Sequence, residues 1–521
     1  MVEVSDEWRD NQQQTLVSES FVEITMDVTD PQAQDEATAT DNGHTVFSGT
    51  SRITRPEELT PNLYATLELN SWVLDGTRKL VPDSAPYGDN GYVGDAITNR
   101  LGGTWKDQII TIKFPSVITN VIPGIVITWS PTYGEYAYDF IVVTYKGSTK
   151  LDTVGGFSEG ETVSTVYYDF TNFDKIEIKI NFWSLPSHRV RVEKIQIGIE
   201  KTYTKSDIIS FKNSLSCDPI SSELPKSEIV FEIKNLDGEY NPYNEDGLNK
   251  YLTERQKITV RYGYKLESGI EWIPGGTYYL SGWETPQNGI TATFTARDAL
   301  EYMNGKFQGG DSVSGIGFGS LVKDAITQAE LPSRADGQDP FVLSYDVLEG
   351  NYRVPDGVDL SDYTIAEVLQ LVANAAQMVF YQDRDGILHI EEPNYEDLQF
   401  EINQFNSYKN SELELTKRLK EVNINNGAYV GTFEDTGETQ SVNNPLIDKK
   451  DEYEDRVANW IYDFLRLRKK VSGEFRADPR IDPLNLVGVV NQFSGNYVLI
   501  TSIEYTYNGA FKGTYEGRVF E

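Results

Sequence analysis

The sequence predicts a mainly β protein with an α+β C-terminal part, and three observations support this fold class. Short runs of alternating apolar and polar residues recur over the first 310 residues, as expected for half-buried strands. Tyrosine accounts for 31 of the 521 residues, which favours strands and contact surfaces because the ring can be buried while the hydroxyl stays in water. Helical periodicity is found only toward the C-terminus. At roughly 100–200 residues per domain, this length predicts three to five domains.

The segment 1–84 is predicted to begin a β domain. Residues 20–28 alternate apolar and polar side chains, and the acidic, polar stretch 29–42 has the composition of a loop. A second alternating run begins at Tyr64 and ends at the turn Asp75-Gly76, so a further strand is expected there.

The segment 85–200 is predicted to be a separate β-sandwich, a jelly roll, inserted into a loop of that domain. Strand-like runs follow one another at a spacing near ten residues, with glycine and proline between them and no helical pattern. The clearest alternation covers residues 175–180 and 191–199. The segment 201–310 then resumes strand-like runs and is predicted to complete the interrupted domain.

The C-terminal part is predicted to contain a small α+β domain at 311–400 and a β domain with one long helix at 401–521. Thr364 and Glu367 form a capping box in front of an apolar helical stripe. A second helix is predicted from about Asp451 to Arg468, with acidic residues in its first turns and basic residues at its end. Strands at 497–507 and 512–520 surround the turn Asn508-Gly509.

Composition argues against most catalytic chemistries. The net charge of −34, from 46 basic and 80 acidic residues, disfavours tight binding of nucleic acid. The three histidines have no metal-ligand spacing, no phosphate-binding loop is present, and no apolar run approaches the ~20 residues of a membrane span. Cys217 is the single cysteine, so no intrachain disulfide can form. We therefore predict no catalytic residue, no metal site, no cofactor and no membrane-spanning segment.

Aromatic side chains near the predicted strand ends of the sandwich are the candidate binding site. Sugars stack on aromatic planes while polar neighbours bind their hydroxyl groups. The candidate residues are Trp105, Trp129, Tyr133, Tyr136, Trp183, His188 and Arg189, with Arg191 as a further hydrogen-bond donor. The same aromatics can instead belong to the core and rim of the sandwich, and the sequence leaves both interpretations open.

Several distinctive motifs occur along the chain: Asn70-Ser71-Trp72-Val73-Leu74-Asp75-Gly76, Leu185-Pro186-Ser187-His188-Arg189-Val190-Arg191, Ile233-Lys234-Asn235-Leu236-Asp237-Gly238-Glu239-Tyr240-Asn241-Pro242, Ile270-Glu271-Trp272-Ile273 with Tyr278-Tyr279-Leu280, and Arg476-Ala477-Asp478-Pro479-Arg480-Ile481-Asp482-Pro483-Leu484. They resemble tail-tip hub proteins of phages and prophages of Gram-positive bacteria, the Tal-like, tail-associated hub family. The resemblance covers nearly the whole chain, and its motifs are structural rather than catalytic.

The resemblance implies a homotrimeric baseplate hub with tail-tube-like β-barrel domains. Segments 1–84 and 201–310 would form the first barrel and 401–521 the second, while 85–200 would be an inserted galactose-binding, discoidin-like jelly roll. Such a hub would cap the tail tube and open for DNA passage. The net charges of −11 over residues 1–84 and −17 over residues 311–521 lead to the hypothesis that acidic side chains line its lumen. The implied partners are a distal tail protein ring or tail tube, the tape-measure protein, tail fibre or receptor-binding proteins, and a cell-surface glycan bound by the insert. The implied location is the virion, after synthesis in the host cytoplasm.

Two alternatives from other classes remain at this point. The first is a glycan-binding surface or receptor-binding protein whose active part is the inserted sandwich. The second is a hydrolase with a carbohydrate-binding insert, for which two facing carboxylates would be needed. Many members of the resembling family continue into an endopeptidase domain, whereas this sequence ends at Glu521 after its last predicted strands. We therefore expect a non-enzymatic protein.

Overall fold

The structure is a computed structural model that describes most of the chain. The described residues are 2–14, 16–54, 61–80, 90–158, 160–221, 223–245, 247–286, 289–309, 313–331, 341–343, 348, 352–395, 397–425, 429–432, 436–448, 451–490 and 495–520. Strands account for 49% of the chain and helices for 14%, so the predicted mainly β fold class is confirmed.

The elements of the N-terminal part alternate between a large barrel-like sheet and the inserted sandwich. They are α1 (Asp6–Gln13), β1 (Ser20–Thr29), α2 (Pro31–Glu36), β2 (Thr38–Asp41), β3 (Tyr64–Ala65), β4 (Lys79–Leu80), β5 (Tyr92–Ile97), β6 (Gly103–Ile118), β7 (Ile122–Thr128), β8 (Ala137–Lys146), β9 (Thr149–Phe157), β10 (Val163–Phe170), β11 (Phe173–Trp183), β12 (Arg189–Val192), β13 (Lys194–Tyr203), β14 (Ile208–Ser216), β15 (Lys226–Lys234), β16 (Lys257–Leu266), β17 (Gly269–Glu284) and β18 (Thr291–Arg297).

The elements of the C-terminal part include the longer helices. They are α3 (Phe318–Ala329), β19 (Phe341–Leu343), α4 (Ile365–Ala376), β20 (Val379–Gln382), β21 (Leu388–Glu391), β22 (Asp397–Ile402), β23 (Glu412–Leu415), β24 (Leu419–Ile424), β25 (Tyr429–Thr432), β26 (Glu438–Val442), α5 (Asp451–Leu465), β27 (Lys469–Phe475), β28 (Leu486–Val490), β29 (Gly495–Tyr507) and β30 (Phe511–Val519). The predicted capping box of α4 is confirmed, because Thr364 and Glu367 exchange both hydrogen bonds.

One 15-stranded sheet connects three parts of the chain. Its strand order is β10-β7-β13-β1-β16-β17-β18-β15-β14-β29-β30-β27-β23, and β28 joins β22 to β29. We call two parts of this sheet the half-barrels: the first consists of the neighbouring strands β1-β16-β17-β18-β15-β14, and the second of β22, β23 and β27–β30. Strand β14 pairs with β15 on one side and with β29 on the other, which makes the two half-barrels continuous.

The two half-barrels also share one hydrophobic core. Tyr262 of the first packs edge-on against Phe511 of the second, with ring centroids 5.3 Å apart. Tyr507 donates a hydrogen bond from its hydroxyl to the carbonyl oxygen of Ser20 at 3.0 Å. Helix α1 closes one end of this core, where the fully buried Trp8 packs edge-on against Tyr264.

The insert packs two sheets against each other. One has the order β2-β6-β11-β8-β9, and the other is the β10-β7-β13 end of the large sheet. Their core contains Ala33, Ala37, Ala39 and Ile53, all of which precede the start of the insert expected at residue 85. Residue 85 itself lies outside the described residues. The polar composition of 29–42 suggested a loop, yet this stretch contains a helix and the edge strand β2.

Strand β13 belongs to both the insert and the first half-barrel. Its residues Lys194 to Ile197 pair with β7 of the insert, and Gly198 to Tyr203 pair with β1 of the half-barrel. Gly198 has a φ of +136°, and a Cβ there would lie 2.5 Å from the carbonyl oxygen of Val28. This change of partner therefore needs glycine.

Three other sequence predictions differ from the structure. Helices were expected only in the C-terminal part, but α1 and α2 begin after the N-caps Ser5 and Asp30. The strand expected over 64–74 is limited to β3, and turns follow it. Helix α5 ends at Leu465 rather than near Arg468. Among the described residues, no helix is both long and apolar enough to cross a membrane.

Candidate functional site

One end of the insert contains four buried ionisable side chains, which we call the ion cluster: Glu68, Glu135, His188 and Arg191. Arg191 Nη2 donates to Glu68 Oε1 at 2.6 Å, and Arg191 Nη1 lies 3.5 Å from Glu135 Oε2. His188 Nδ1 lies 2.8 Å from Glu135 Oε1. A buried charge is stable only when it is paired. Each carboxylate here therefore needs its basic neighbour, and each basic side chain needs its carboxylate.

The ion cluster joins three segments that are distant in sequence. Glu68 follows β3, Glu135 precedes β8, and His188 and Arg191 lie at β12. Burial alone would raise the pKa of the Glu68 carboxyl, but the charge of Arg191 and the hydrogen bonds from Arg191, the Arg189 N–H and Thr66 together offset it, and the pKa is lowered. Burial would likewise lower the pKa of Arg191, and the charge of Glu68 raises it. Both groups therefore stay charged at neutral pH.

Two of the predicted aromatic residues pack directly on the ion cluster. The Arg191 guanidinium lies 4.0 Å from the ring centroid of Tyr133, a cation–π contact. Trp183 Nε1 donates to Glu135 Oε2 at 2.7 Å. The Tyr133 hydroxyl donates to the carbonyl oxygen of Asn62 at 3.1 Å, which attaches the chain before β3 to the same cluster.

The buried position of two tryptophans favours the core interpretation for them. Trp129 is fully buried and donates from Nε1 to Ser164 Oγ at 2.7 Å. Its ring meets Trp183 edge-on at 6.3 Å, and Trp183 is also buried. Neither indole presents a face on which a sugar could stack.

The other predicted residues have different environments. Trp105 is 71% exposed on β6. Tyr136 is partly buried against the core of the insert. Arg189 donates from Nη1 to the carbonyl oxygen of Gly94 at 2.9 Å, and its backbone N–H donates to Glu68 Oε2 at 2.7 Å.

The structure thus brings together Tyr133, Trp183 and His188, while Trp105 and Trp129 lie apart from the ion cluster. The carboxylates Glu68 and Glu135 were not singled out from the sequence. The sequence contains only an indirect indication of these carboxylates. A strand that buries an arginine needs a carboxylate partner, but the sequence does not show which aspartate or glutamate that partner is.

A cavity of about 550 Å³ lies where the two half-barrels meet strands β20 and β21. The loop between β20 and β21 holds this junction together through Arg384. Its guanidinium binds Asp482 through Nε at 2.8 Å and Nη2 at 2.9 Å, and it also donates to the carbonyl oxygens of Pro274 and Pro479. One side chain therefore connects the loop between β20 and β21 to both half-barrels.

Other ionisable groups in and beside this cavity are perturbed by burial. Burial raises the pKa of Asp298 to about 7 and that of Cys217 to about 12. His389 lies 3.0 Å from Asp383 and 3.2 Å from Glu391. The pKa of His389 is raised: burial lowers it, but the interactions with Asp383 and Glu391 together outweigh that effect. Within the described ranges, no group of three or more histidine, cysteine, aspartate or glutamate side chains could hold a metal ion.

Comparison with known proteins finds similarity only at the level of structure. No protein-family model matches the chain, and no curated protein matches it. The 43 kDa tail protein of prophage MuSo2 from Shewanella oneidensis is similar, with 13% identity, a TM-score of 0.42, and coverage of 61% of this chain and 94% of that one. A tail protein from Neisseria meningitidis MC58 has 12% identity, a TM-score of 0.41, and coverage of 62% and 94%. The prophage tail protein gp18 from Listeria monocytogenes EGD-e has 9% identity, a TM-score of 0.39, and coverage of 62% and 93%.

These similar structures are phage and prophage tail proteins, and a phage P2 baseplate is another of them. TM-scores of 0.39 to 0.42 are too low to assign a shared fold.

Proposed function

We propose that this chain is a structural component of a bacteriophage tail tip, a homotrimeric hub that caps the tail tube and connects it to the proteins beyond. The observation that carries the proposal is the uncovered end of the 15-stranded sheet. Strand β23 pairs with β27 on one side, and no second partner strand lies among the described residues. All four residues of β23 are exposed.

The exposed face of β23 continues the hydrophobic core. Leu413 is directly opposite Val471 in the antiparallel register, so the two side chains share a face. Val471 is buried in the shared core, whereas Leu413 and Leu415 are 61% and 63% exposed. An unpaired edge strand with one apolar face is a template for pairing with another chain. A second copy of this chain is the partner that closed symmetry provides.

The two half-barrels of each chain support a hub in particular. Three copies would place six similar sheets around one axis, which suits a sixfold tail tube. We propose the division inferred from the resemblance, with the insert extended to begin near Ala33. The Tal-like family and the discoidin-like type of insert belong to the same proposal.

Mass measurement tests the assembly. We expect the full chain, of 58.8 kDa, to elute at three times that mass in size-exclusion chromatography with light scattering. Leu413→Lys should dissociate the assembly because it places a charge on the pairing edge. Leu236→Lys is the matched control, since Leu236 is 79% exposed in a turn far from β23 in sequence. A wild-type chain that stays monomeric at high concentration would refute the hub.

The passage of DNA is the second part of the proposed role. The net charge of −34 supports an acidic lumen, which DNA would pass without adhering to it. We expect no tight binding of double-stranded DNA at physiological salt in a gel-shift assay. Tight binding would contradict the proposed lumen.

The alternative is a glycan-binding protein whose active part is the insert. The observation that favours it is the exposed Trp105, but Trp129 and Trp183 are buried. Glycan-array binding that is lost in Trp105→Ala would support this alternative. Binding that persists in that variant would exclude this sugar site.

A further inference from the structure

The loop end of the insert carries an unusual concentration of exposed apolar side chains, which we call the apolar rim. Its members come from three segments: the loop after β3, the turn before β6 with the start of β6, and the end of β11 with the loop that follows. They are Leu67, Leu69, Trp72, Leu101, Trp105, Phe182 and Leu185, and each is at least 40% exposed. Exposed apolar groups scattered singly are normal on protein surfaces, but a contiguous set marks an interaction site.

Backbone hydrogen bonds show that the three segments are neighbours. The N–H of Leu69 donates to the carbonyl oxygen of Ser187 at 3.2 Å, and the N–H of Ser187 donates to that of Thr98 at 3.2 Å. The N–H of Trp183 donates to the carbonyl oxygen of Gly102 at 2.8 Å. The apolar rim is therefore one surface rather than three separate loops.

The ion cluster holds the first segment of the rim in place. Glu68 lies between Leu67 and Leu69, and its carboxylate is buried against Arg191. Ser71 is buried as well, and its N–H donates to the carbonyl oxygen of Glu68. Here the polar residues point inward and the leucines outward, which is the reverse of the usual arrangement. The buried contacts of Glu68 and Ser71 therefore keep the neighbouring leucine side chains exposed to solvent, where they cannot pack into the core.

The charge around the rim differs from that of the whole chain. The segments 66–80, 97–107 and 182–189, together with the contacting residues Asp95, Glu135 and Arg191, contain six cationic and five anionic side chains, while the chain as a whole carries −34. Lys79 and Arg100 are both exposed: Lys79 pairs with Tyr64, just before the segment that carries Leu67, and Arg100 precedes Leu101. The rim therefore lacks the strong negative charge of the rest of the chain, and its exposed cations can face an anionic surface.

We propose that the apolar rim docks on the surface of an anionic lipid membrane. Leucine side chains at loop tips can enter the boundary between headgroups and acyl chains, and tryptophan prefers that interface. Lys79 and Arg100 would lie at the level of the lipid phosphates, where each cation adds attraction. This role does not depend on the hub, because the rim belongs to a single chain.

Vesicle flotation of the full chain tests the proposal. We expect binding to phosphatidylcholine vesicles that contain about 30% phosphatidylglycerol, and weaker binding to pure phosphatidylcholine. The double variant Leu67→Ser/Leu101→Ser removes the two most exposed leucines of the rim and should weaken binding about tenfold. The matched control is Leu236→Ser/Tyr243→Ser, which removes two comparably exposed side chains outside the rim and should bind as the wild type does.

A charge variant separates the two contributions. Lys79→Gln/Arg100→Gln should weaken binding to the anionic vesicles about tenfold and leave the binding to pure phosphatidylcholine unchanged. Circular dichroism of each variant confirms that it is folded, as expected for changes at exposed positions.

Several outcomes would overturn the proposal. One is a wild-type chain that does not float with anionic vesicles. Another is a rim variant that floats as the wild type does, which would place the membrane contact elsewhere. A rim variant that loses self-association but not vesicle binding would assign the rim to a protein interface. Binding of the rim to glycans without vesicle binding would favour the sugar-binding alternative.

Discussion

Replacing Glu68 by glutamine tests the link between the ion cluster and the loop that it supports. The side chain of Glu68 is 1% exposed, and its two oxygens accept hydrogen bonds from Arg191 Nη2 and from the backbone N–H of Arg189. Glutamine has nearly the same shape, but it carries no charge and has only one acceptor oxygen. The variant therefore leaves one donor without its partner and leaves a buried guanidinium less compensated.

The expected loss follows from the burial of the pair. Removing one partner of a buried ion pair destabilises a protein by about 3–5 kcal/mol. Glu135 Oε2, at 3.5 Å from Arg191 Nη1, still compensates part of the charge, so we expect the lower end, about 3 kcal/mol. Hydrogen exchange read by mass spectrometry should show this loss in the loop after β3, because a chain of several domains does not unfold in one step. Glu412→Gln is the matched control, since the Glu412 side chain is 76% exposed.

The pH dependence gives a second test of the same pair. The pKa of Glu68 is lowered in the folded protein: burial raises it, but the positive charge of Arg191 and the hydrogen bonds from Arg191, the Arg189 N–H and Thr66 together outweigh that effect. A carboxyl with a lowered pKa contributes stability above its unfolded pKa of about 4.3, and that stability is lost as pH falls. The difference between wild type and Glu68→Gln should therefore shrink in acid. Unchanged exchange in the loop at neutral pH, or a difference that grows in acid, would refute this reasoning.

Three further variants test the fold itself, with hydrogen exchange read by mass spectrometry in the segment around each substitution as the measurement. Trp8→Ala should destabilise the shared core by about 3–5 kcal/mol, because Trp8 is fully buried against Tyr264; a change below about 1 kcal/mol would place α1 outside the core. Gly198→Ala should cost about 2 kcal/mol or more, while Gly155→Ala, with nothing within 4 Å of the added Cβ, should be nearly neutral. Asp298→Asn should gain stability relative to wild type as pH rises from about 4 to 7, because ionisation of a carboxyl with its pKa raised to about 7 by burial penalises the folded state; a constant difference across that range would contradict the raised pKa.

The strands and helices with a regular pattern could be predicted from the sequence. Alternation over residues 175–180 corresponds to the centre of β11, and the capping box at Thr364 begins α4. The alternation after Tyr64 failed for a physical reason. It suggested apolar residues inward and Glu68 outward, but the buried Arg191 requires a carboxylate and so reverses the two faces. The alternation of apolar and polar residues in one segment does not reveal that a distant buried arginine needs a carboxylate from it.

The position of the candidate tryptophans at strand ends could be predicted from the sequence, but the exposure of their side chains could not. Trp129 directly follows β7 and Trp183 ends β11, in agreement with the prediction of strand ends. Trp129 and Trp183 lie at strand ends of different sheets of the insert and are both buried in the core between them, and only the three-dimensional arrangement decides which aromatic is covered. The pair of Glu68 and Arg191 spans 123 positions in the chain. A single sequence does not reveal a contact over that separation.

The shared strand β13 makes the insert a rigid extension of the first half-barrel. Within one continuous strand, Ile197 pairs with β7 of the insert and Gly198 pairs with β1 of the half-barrel. Rotation of the insert would have to break these ladder hydrogen bonds or move the backbone at Gly198, where Val28 and Thr29 leave no space. The orientation of the apolar rim relative to the half-barrels is thus set by backbone pairing rather than by a linker. If both proposals hold, docking of the rim on a membrane would fix the angle of the hub axis to that membrane, and three rims around the axis would hold it symmetrically.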